Sequence, residues 1–152
     1  MKREVRASST VLVAQENNPL KFAPSVEEAM ALLLTFSFAC LTQAFVSNDF
    51  SVVYVAQHSN SLLPIQYRVA AVWGGHEGSL LLWMLFLTWW AFGVAMLSRQ
   101  LPEAMVARVL GTLGLVAFGF LLFILITSNP FERLLPGAAE GRDLNPLLQD
   151  PG

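Results

Sequence analysis

Three long apolar runs separate polar blocks along this chain of 152 residues. The runs cover about residues 29–46, 79–97 and 109–127. A helix needs about 20 mainly apolar residues to cross about 30 Å of hydrocarbon. The pattern therefore predicts an all-α fold, a polytopic membrane protein with three transmembrane helices.

The polar blocks complete the predicted organisation. Residues 1–28 form a polar N-terminal segment, residues 47–78 a long loop between the first two spans, and residues 128–152 an irregular tail. Residues 29–127 are the predicted membrane domain. Pro130 ends the last helix, because the residue before a proline is disfavoured in helical geometry.

Composition supports the membrane prediction and excludes several function classes. Hydrophobic residues make up 55% of the chain and charged residues only 13%, whereas soluble domains carry about 25% charge. A net charge of -2 gives no basic surface for nucleic acid. The single cysteine, Cys40, excludes an internal disulfide and a CxxC site. It lies in an apolar run and is expected to be a small core residue.

The distribution of positive charges predicts the orientation, since cytoplasmic loops of membrane proteins carry an excess of Lys and Arg. With the N-terminus inside, six positive charges face the cytoplasm. They are Lys2, Arg3, Arg6, Lys21, Arg99 and Arg108. Three face the outside: Arg68, Arg133 and Arg142. The N-terminus is therefore predicted to be cytoplasmic, with the 47–78 loop and the C-terminal tail outside.

The most informative short stretch stands at the mouth of the second span. Its sequence is Trp73-Gly74-Gly75-His76-Glu77-Gly78-Ser79. Two glycines allow a backbone conformation or a close approach that other residues do not. If the helix begins near His76, one of its faces carries a histidine above two tryptophans. The members of that face are His76, Leu80, Trp83, Leu87 and Trp90.

Two interpretations of this stretch remain open. In the functional one, Trp73, His76, Trp83 and Trp90 form an outer-leaflet surface for a planar aromatic ligand or a partner protein. His76 is then a candidate ligand of haem or a metal, and Glu77 a candidate cap of the helix. In the simpler one, which the physics alone favours, the stretch is an interfacial turn and the tryptophans pack against neighbouring helices.

The remaining candidate residues are weaker. His58 has no short metal-ligand spacing to the second histidine and is expected to be a solvated loop residue. Trp73 and Tyr67 are expected to anchor the loop in the membrane interface. Ala107, Gly111 and Gly114 form a small-residue stripe, typical of close helix packing in lipid. The sequence contains no nucleophile elbow, P-loop or Rossmann fingerprint, so no catalytic residue and no metal site are predicted.

Long stretches of the chain resemble the cytochrome c maturation haem-lyase subunit CcmF. They are NDFSVVYVAQHSNSLLPIQYRVAAVWGGHEGSLLLW (48–83), LPEAMVARVLG (101–111), TSNPFERLLP (127–136) and GRDLNPLLQDPG (141–152). The resemblance covers about residues 36–152, the N-terminal portion of that family. It implies a haem lyase of the bacterial inner membrane, with haem b as cofactor of the full-length family. It also makes Gly74, Gly75, Glu77, Gly78, His58 and His76 family-motif positions.

The resemblance further implies partners and a reaction. CcmF works with CcmH and CcmI, takes haem from the carrier CcmE, and joins it to apocytochrome c. The family's tryptophan-rich haem-binding domain and haem-ligating histidines are expected to lie beyond Gly152. Haem is therefore not expected to bind this chain stoichiometrically.

A second resemblance concerns the opening of the chain. AQENNPLKFAPSVEEAMALLL (14–34) resembles a segment of type VI secretion FHA-domain proteins. The chain is therefore expected to be a fusion, with its joint near residues 30–36. A type VI secretion component, and a truncated or fused fragment without independent activity, remain the alternatives to a haem-lyase subunit.

Overall fold

The computed structural model describes residues 23–142, and within them the chain is helical. Its helices are α1 (Ala23–Val46), α2 (Val53–His58), α3 (Ile65–Ala71), α4 (His76–Leu97) and α5 (Glu103–Thr127). A 3-10 turn, Ser98–Gln100, joins α4 to α5. The strand pairing in this part of the chain is a single bridge between Val52 and Arg133. The predicted all-α class is confirmed.

Three of these helices are long and apolar enough to cross a membrane: Ser25–Val46, His76–Leu97 and Glu103–Thr127. Each begins three to six residues before the apolar run that predicted it. The extra residues include charged side chains, among them Glu77 in α4 and Glu103 in α5, which lie in the first turns of their helices. A carboxylate is favourable near the positive end of a helix, so hydropathy marks the apolar part of each helix rather than its start.

Helix α4 is the centre of the membrane part, since it packs against both α1 and α5. One buried cluster joins Met84 of α4 to Ala117 and Ile124 of α5. Between α4 and α1, the Trp89 indole donates a hydrogen bond to the Thr35 hydroxyl at 2.9 Å. Cys40 lies exposed on α1, so the expectation of a core cysteine is wrong.

A sharp turn leads the chain out of α1. Asn48 has a φ of 55°, a left-handed conformation that asparagine tolerates better than most residues. Its N–H donates to Phe45, and the N–H of Asp49 donates to Ala44. These two hydrogen bonds form a Schellman motif, which satisfies carbonyls left open at a helix end.

The loop and the first part of the tail form one layer over the ends of the membrane helices. We call residues 47–75 together with 128–142 the cap. Backbone hydrogen bonds join its two segments: Val53 N–H to Glu132, Leu134 N–H to Ser51, Ala138 N–H to Phe50 and Arg142 N–H to Ala56. The described tail is irregular, as predicted, yet its backbone is held against the loop.

Side chains reinforce this junction. Arg133 lies 3.4 Å from Asp49 and donates to the Ser51 hydroxyl at 2.6 Å. Glu140 accepts hydrogen bonds from the backbone and hydroxyl of Ser61, both at 2.9 Å. The hydrogen bond from the Ser51 hydroxyl, together with the Arg133 charge, lowers the pKa of Asp49. The cap therefore depends on contacts between residues about 80 positions apart in sequence.

Candidate functional site

The Trp73–Ser79 stretch forms the turn that starts α4. Gly75 occupies the N-cap position in extended conformation, and the helix begins at His76. Ser79 closes the turn, because its hydroxyl donates to the carbonyl of Trp73 at 2.7 Å. Glu77 lies in the first helical turn, where its charge suits the positive end of the helix. The N-cap itself has no side-chain hydrogen bond.

Tyr54 of α2 packs against this turn and is buried, with 2% of its surface exposed. Its hydroxyl accepts the N–H of Gly75 at 3.0 Å and donates to the carbonyl of Val72 at 3.0 Å. Burial raises the pKa of Tyr54 to about 12, so the hydroxyl keeps the proton that it donates. One side chain thereby satisfies two buried backbone groups of the turn.

The close approach of Tyr54 explains two of the glycines. A Cβ atom on Gly75 would lie 2.7 Å from the Tyr54 ring, and one on Gly78 would lie 2.6 Å from the Tyr54 hydroxyl. A Cβ on Gly78 would also overlap the carbonyl oxygen of Val72. Any larger residue at these positions must push the tyrosine or the backbone aside, so glycine is required by packing.

His58 belongs to the same cluster and is half-buried, so the expectation of a solvated loop residue is wrong. Its Nδ1 lies 3.1 Å from the carbonyl of Tyr54, an oxygen that only accepts, so Nδ1 is the donor. The ring centroids of His58 and Tyr54 are 4.6 Å apart. The other ring nitrogen faces Gly75, whose added Cβ would lie 2.8 Å away. His58 therefore packs behind the turn.

His76 lies on the opposite side of the turn, and its side chain is exposed. Its Nδ1 lies 3.2 Å from the hydroxyl of Ser128, the residue that follows α5. Its ring meets Phe123 edge-on at a centroid distance of 6.1 Å. The first residue of α4 is thus tied to the end of α5, and this contact holds one face of the imidazole in place.

Below His76 an apolar groove runs between α4 and α5. Its outer part is lined by Leu80, Gly119, Phe120 and Phe123. Its inner part, a hollow of about 210 Å³, is lined by Trp83, Met84, Leu87, Val116 and Phe120. Phe120 lines both parts, which follow one another along the helix face predicted from the sequence.

The tryptophans of α4 divide between two directions. Trp83 lines the groove and is 68% exposed, whereas Trp90 is 72% exposed and is not among the residues that line it. Trp89 instead bonds to Thr35 of α1. Trp73 stands apart on the turn and is 42% exposed. The structure therefore gathers His76 and Trp83 along the groove, while Trp73 and His58 lie in the cap.

A resident haem normally requires axial ligands such as histidine, and the described residues do not supply a matching pair at the groove. His76 stands at its outer end, whereas His58 is turned against Tyr54. The described chain also holds no group of three or more His, Cys, Asp or Glu residues that suits a metal ion. The groove offers two apolar walls and one imidazole, which suits contact with a passing ligand better than enclosure of a bound one.

Sequence reasoning missed the residues that position the site. Tyr54 stands in an apolar run without a clear period, Ser128 after a helix end, and Thr35 inside a span. Each acts through a contact distant in sequence, with separations of 21, 52 and 54 positions. The glycines in the turn, Gly74, Gly75 and Gly78, were the local indication that something packs closely there.

Comparison with known proteins gives two family matches. The model described as cytochrome C assembly protein matches residues 73–152. The model of the C-terminal domain of Type VI secretion system FHA protein matches residues 1–60. The first match contains the turn, α4, the groove and the tail. The second contains α1 and the part of the cap that holds Tyr54 and His58. No solved structure matches the chain.

Curated relatives agree with the first match. The cytochrome c-type biogenesis protein CcmF of Pseudomonas aeruginosa is 62% identical over 120 residues, 78% of this chain and 18% of the relative. CcmF of Escherichia coli is 62% identical over 117 residues, 76% of this chain and 18% of the relative. The cytochrome c-type biogenesis protein NrfE of Haemophilus influenzae is 50% identical over 121 residues, 80% of this chain and 19% of the relative.

The chain thus spans about a fifth of the length of these relatives. The matched family model covers 80 of its 152 residues, from Trp73 to Gly152. The expected resemblance to CcmF is confirmed by this model and by the identities. With its three membrane-spanning helices and the turn that opens α4, this chain belongs to the cytochrome c assembly protein family.

Proposed function

We propose that this chain serves c-type cytochrome biogenesis as part of a haem-lyase complex in the bacterial inner membrane. In that complex it helps to receive haem and supports its covalent attachment to apocytochrome c. The identity of about 60% to CcmF proteins supports the proposal. The observation that carries it is His76, an exposed imidazole held by Ser128 at the outer end of an apolar groove.

Haem is the substrate in this proposal, and the groove is a surface that it passes. A porphyrin is planar and apolar apart from its propionates, so the aromatic groove of Trp83 and Phe120 suits its face. His76 lies at the end of the groove that adjoins the polar cap. CcmE as haem donor, and CcmH and CcmI as neighbouring subunits, are the proposed partners, with apocytochrome c as acceptor.

The cap belongs on the periplasmic side in this proposal. Cytoplasmic segments of membrane proteins carry an excess of positive charge, and residues 1–28 and 98–108, predicted to be cytoplasmic, carry six of the nine Lys and Arg residues. The test uses single cysteines at Gln57 and Ser8 in a Cys40→Ser background, probed from the periplasm with an impermeant maleimide. Gln57 is exposed, whereas the neighbouring Ser59 is buried. Labelling at position 8 and not at 57 would reverse the topology.

The central test is genetic. Deleting the gene should reduce the haem-stained c-type cytochromes of the cell, and the wild-type chain should restore them. His76→Ala should restore them less well at equal protein level, whereas Gln57→Ala, at an exposed cap position, should act as wild type. Unchanged cytochromes in the deletion strain contradict the proposed function. Full restoration by His76→Ala contradicts the role of the groove mouth.

Stoichiometric haem is not expected on the purified chain, since stable binding takes axial ligation and the groove supplies one imidazole. The check is the optical spectrum of the detergent-purified chain after expression with ample haem. A sharp six-coordinate Soret band near one haem per chain, lost in His76→Ala, would overturn this expectation.

The match of residues 1–60 to the type VI secretion model supports a second candidate. The described part of that region is α1 and the start of the cap, both packed against α4 and the turn. It therefore forms one body with the cytochrome assembly region, and we rank secretion second. Loss of type VI secretion in the deletion strain, with normal cytochromes, would favour this candidate.

A further inference from the structure

The segment around α3 exposes apolar side chains before the helix, at its first residue and just after its end. Leu62 is 91% exposed, Ile65 61% and Trp73 42%. A single exposed apolar residue is ordinary on a protein surface. Here, however, three of them lie within twelve positions, around a helix of seven residues. Such a concentration indicates a contact surface.

Arg68 fixes this segment at the level where the first membrane helix ends. Its guanidinium donates to the carbonyl of Val46, the last residue of α1, at 3.3 Å. It also donates to the carbonyls of Leu63 and Ser61, both at 2.8 Å. The hydrogen bond to Val46 therefore holds the segment at this end of α1. A few residues later the chain reaches the start of α4 at His76.

The opposite side of the segment is already used. Leu63 and Tyr67 pack against the buried cluster that contains Leu41 and Phe45 of α1. The predicted anchor Tyr67 is therefore partly buried against the protein, and the outward apolar positions are Leu62 and Ile65. Arg68 meanwhile satisfies three backbone carbonyls, and such groups must find partners wherever water is scarce.

We propose that the α3 segment rests on the outer leaflet of the membrane, with Leu62 and Ile65 inserted below the phospholipid headgroups. Trp73 lies at headgroup level, where tryptophan is enriched. The partner is the phospholipid surface itself. An apolar side placed flat at the interface is the usual mode of such short segments. The hydrogen bond from Arg68 to Val46 fixes the depth of the segment relative to the end of α1. This contact is independent of any role in haem handling.

The test uses the full chain in vesicles of phosphatidylethanolamine and phosphatidylglycerol, in a Cys40→Ser background. Single cysteines at Leu62, Ile65 and the control Gln57 carry the fluorophore bimane. Gln57 is exposed and polar and belongs to the same cap. All three side chains point outward, so helical circular dichroism should match the parent chain, and this is checked first.

Labels at Leu62 and Ile65 should be blue-shifted, quenched by lipids with a shallow nitroxide, and protected from iodide on both faces. The label at Gln57 should show the reverse. Iodide quenching at Leu62 equal to that at Gln57 would overturn the proposal. Protection from both quenchers would also overturn it, because it would mean that another protein copy covers the segment.

Discussion

The cap and the membrane helices of this chain are held together by different contacts. The cap depends on hydrogen bonds between distant residues, such as Val53 with Glu132 and Ser61 with Glu140. The membrane helices are joined by apolar packing and by the hydrogen bond from Trp89 to Thr35. Each of the three spans has less than a quarter of its apolar window buried within the described chain.

The two regions differ in how far their contacts are satisfied within the described chain. The described cap satisfies much of its own backbone, so its structure is set within the chain. The spans leave wide apolar faces, since lipid is as apolar as a leucine side chain and gives no hydrophobic drive to cover them. Changes in the cap should therefore reduce the stability of the chain itself, and changes on the open helix faces should act on assembly.

The largest effect is expected from Gly78→Ala. The added Cβ overlaps the carbonyl of Val72 and crowds Tyr54, so the turn must open, at a cost of about 3 kcal/mol. The measurement is unfolding in detergent followed by circular dichroism. The matched control is Gly119→Ala in α5, where an added Cβ meets nothing within 4 Å. Equal stability of the two variants would show that the turn is not a packing constraint.

Tyr54→Phe should come next. It keeps the ring and removes the hydroxyl, which leaves the N–H of Gly75 and the carbonyl of Val72 without their partner. Buried groups left in this way cost about 2 kcal/mol. Tyr67→Phe, in the same cap, should change the unfolding free energy by less than about 0.5 kcal/mol. If the two phenylalanine variants unfold alike, the hydroxyl does not hold the turn.

Thr35→Val should have a smaller effect, because hydrogen bonds between membrane helices contribute about 0.6 kcal/mol on average. The change removes the acceptor of the Trp89 indole. Thr42→Val is the control, since the Thr42 hydroxyl donates to Phe38 of its own helix. A double-mutant cycle with Trp89→Phe isolates the pair, and a coupling energy of zero would contradict an interaction between α1 and α4 at this point.

The smallest effect on the chain alone is expected from Gly111→Leu. Gly111 belongs to the predicted small-residue stripe, and it is exposed with open space around it. The unfolding free energy of the purified chain should change by less than about 0.5 kcal/mol. Assembly with partner subunits should weaken by about 1 kcal/mol or more, measured by co-purification at equal expression. Unchanged co-purification would remove the stripe as a packing face.

The sequence predicted the membrane helices because their information is local. Long apolar runs identify spans without reference to any other part of the chain. A helix start near His76 was only the condition of the groove-face interpretation, and the structure places the start of α4 there. The groove face was predicted from helical spacing alone. Its second wall, Val116 and Phe120 of α5, was not, because spacing within one helix does not say which helix lies beside it.

The sequence did not predict the cap, because its contacts are distant and carry no period. Nothing in the local pattern connects Arg142 with Ala56, or Tyr54 with Gly75. The two wrong expectations, a solvated His58 and a core Cys40, share this cause. Both expectations were drawn from the neighbours of each residue in sequence, whereas the burial of His58 and Cys40 depends on their neighbours in space.

The pairing of the two cap segments also has a consequence for synthesis. The loop emerges from the ribosome long before residues 128–142, which supply the partners of Val53 N–H and of the Ser51, Phe50 and Ala56 carbonyls. Until the tail is made, these backbone groups must be hydrated or held by other proteins. The loop is therefore the last part of the described chain to take its final form. A nascent chain arrested before Phe131 should present it, for the time of synthesis, to chaperones and proteases on the side of the membrane where the cap lies.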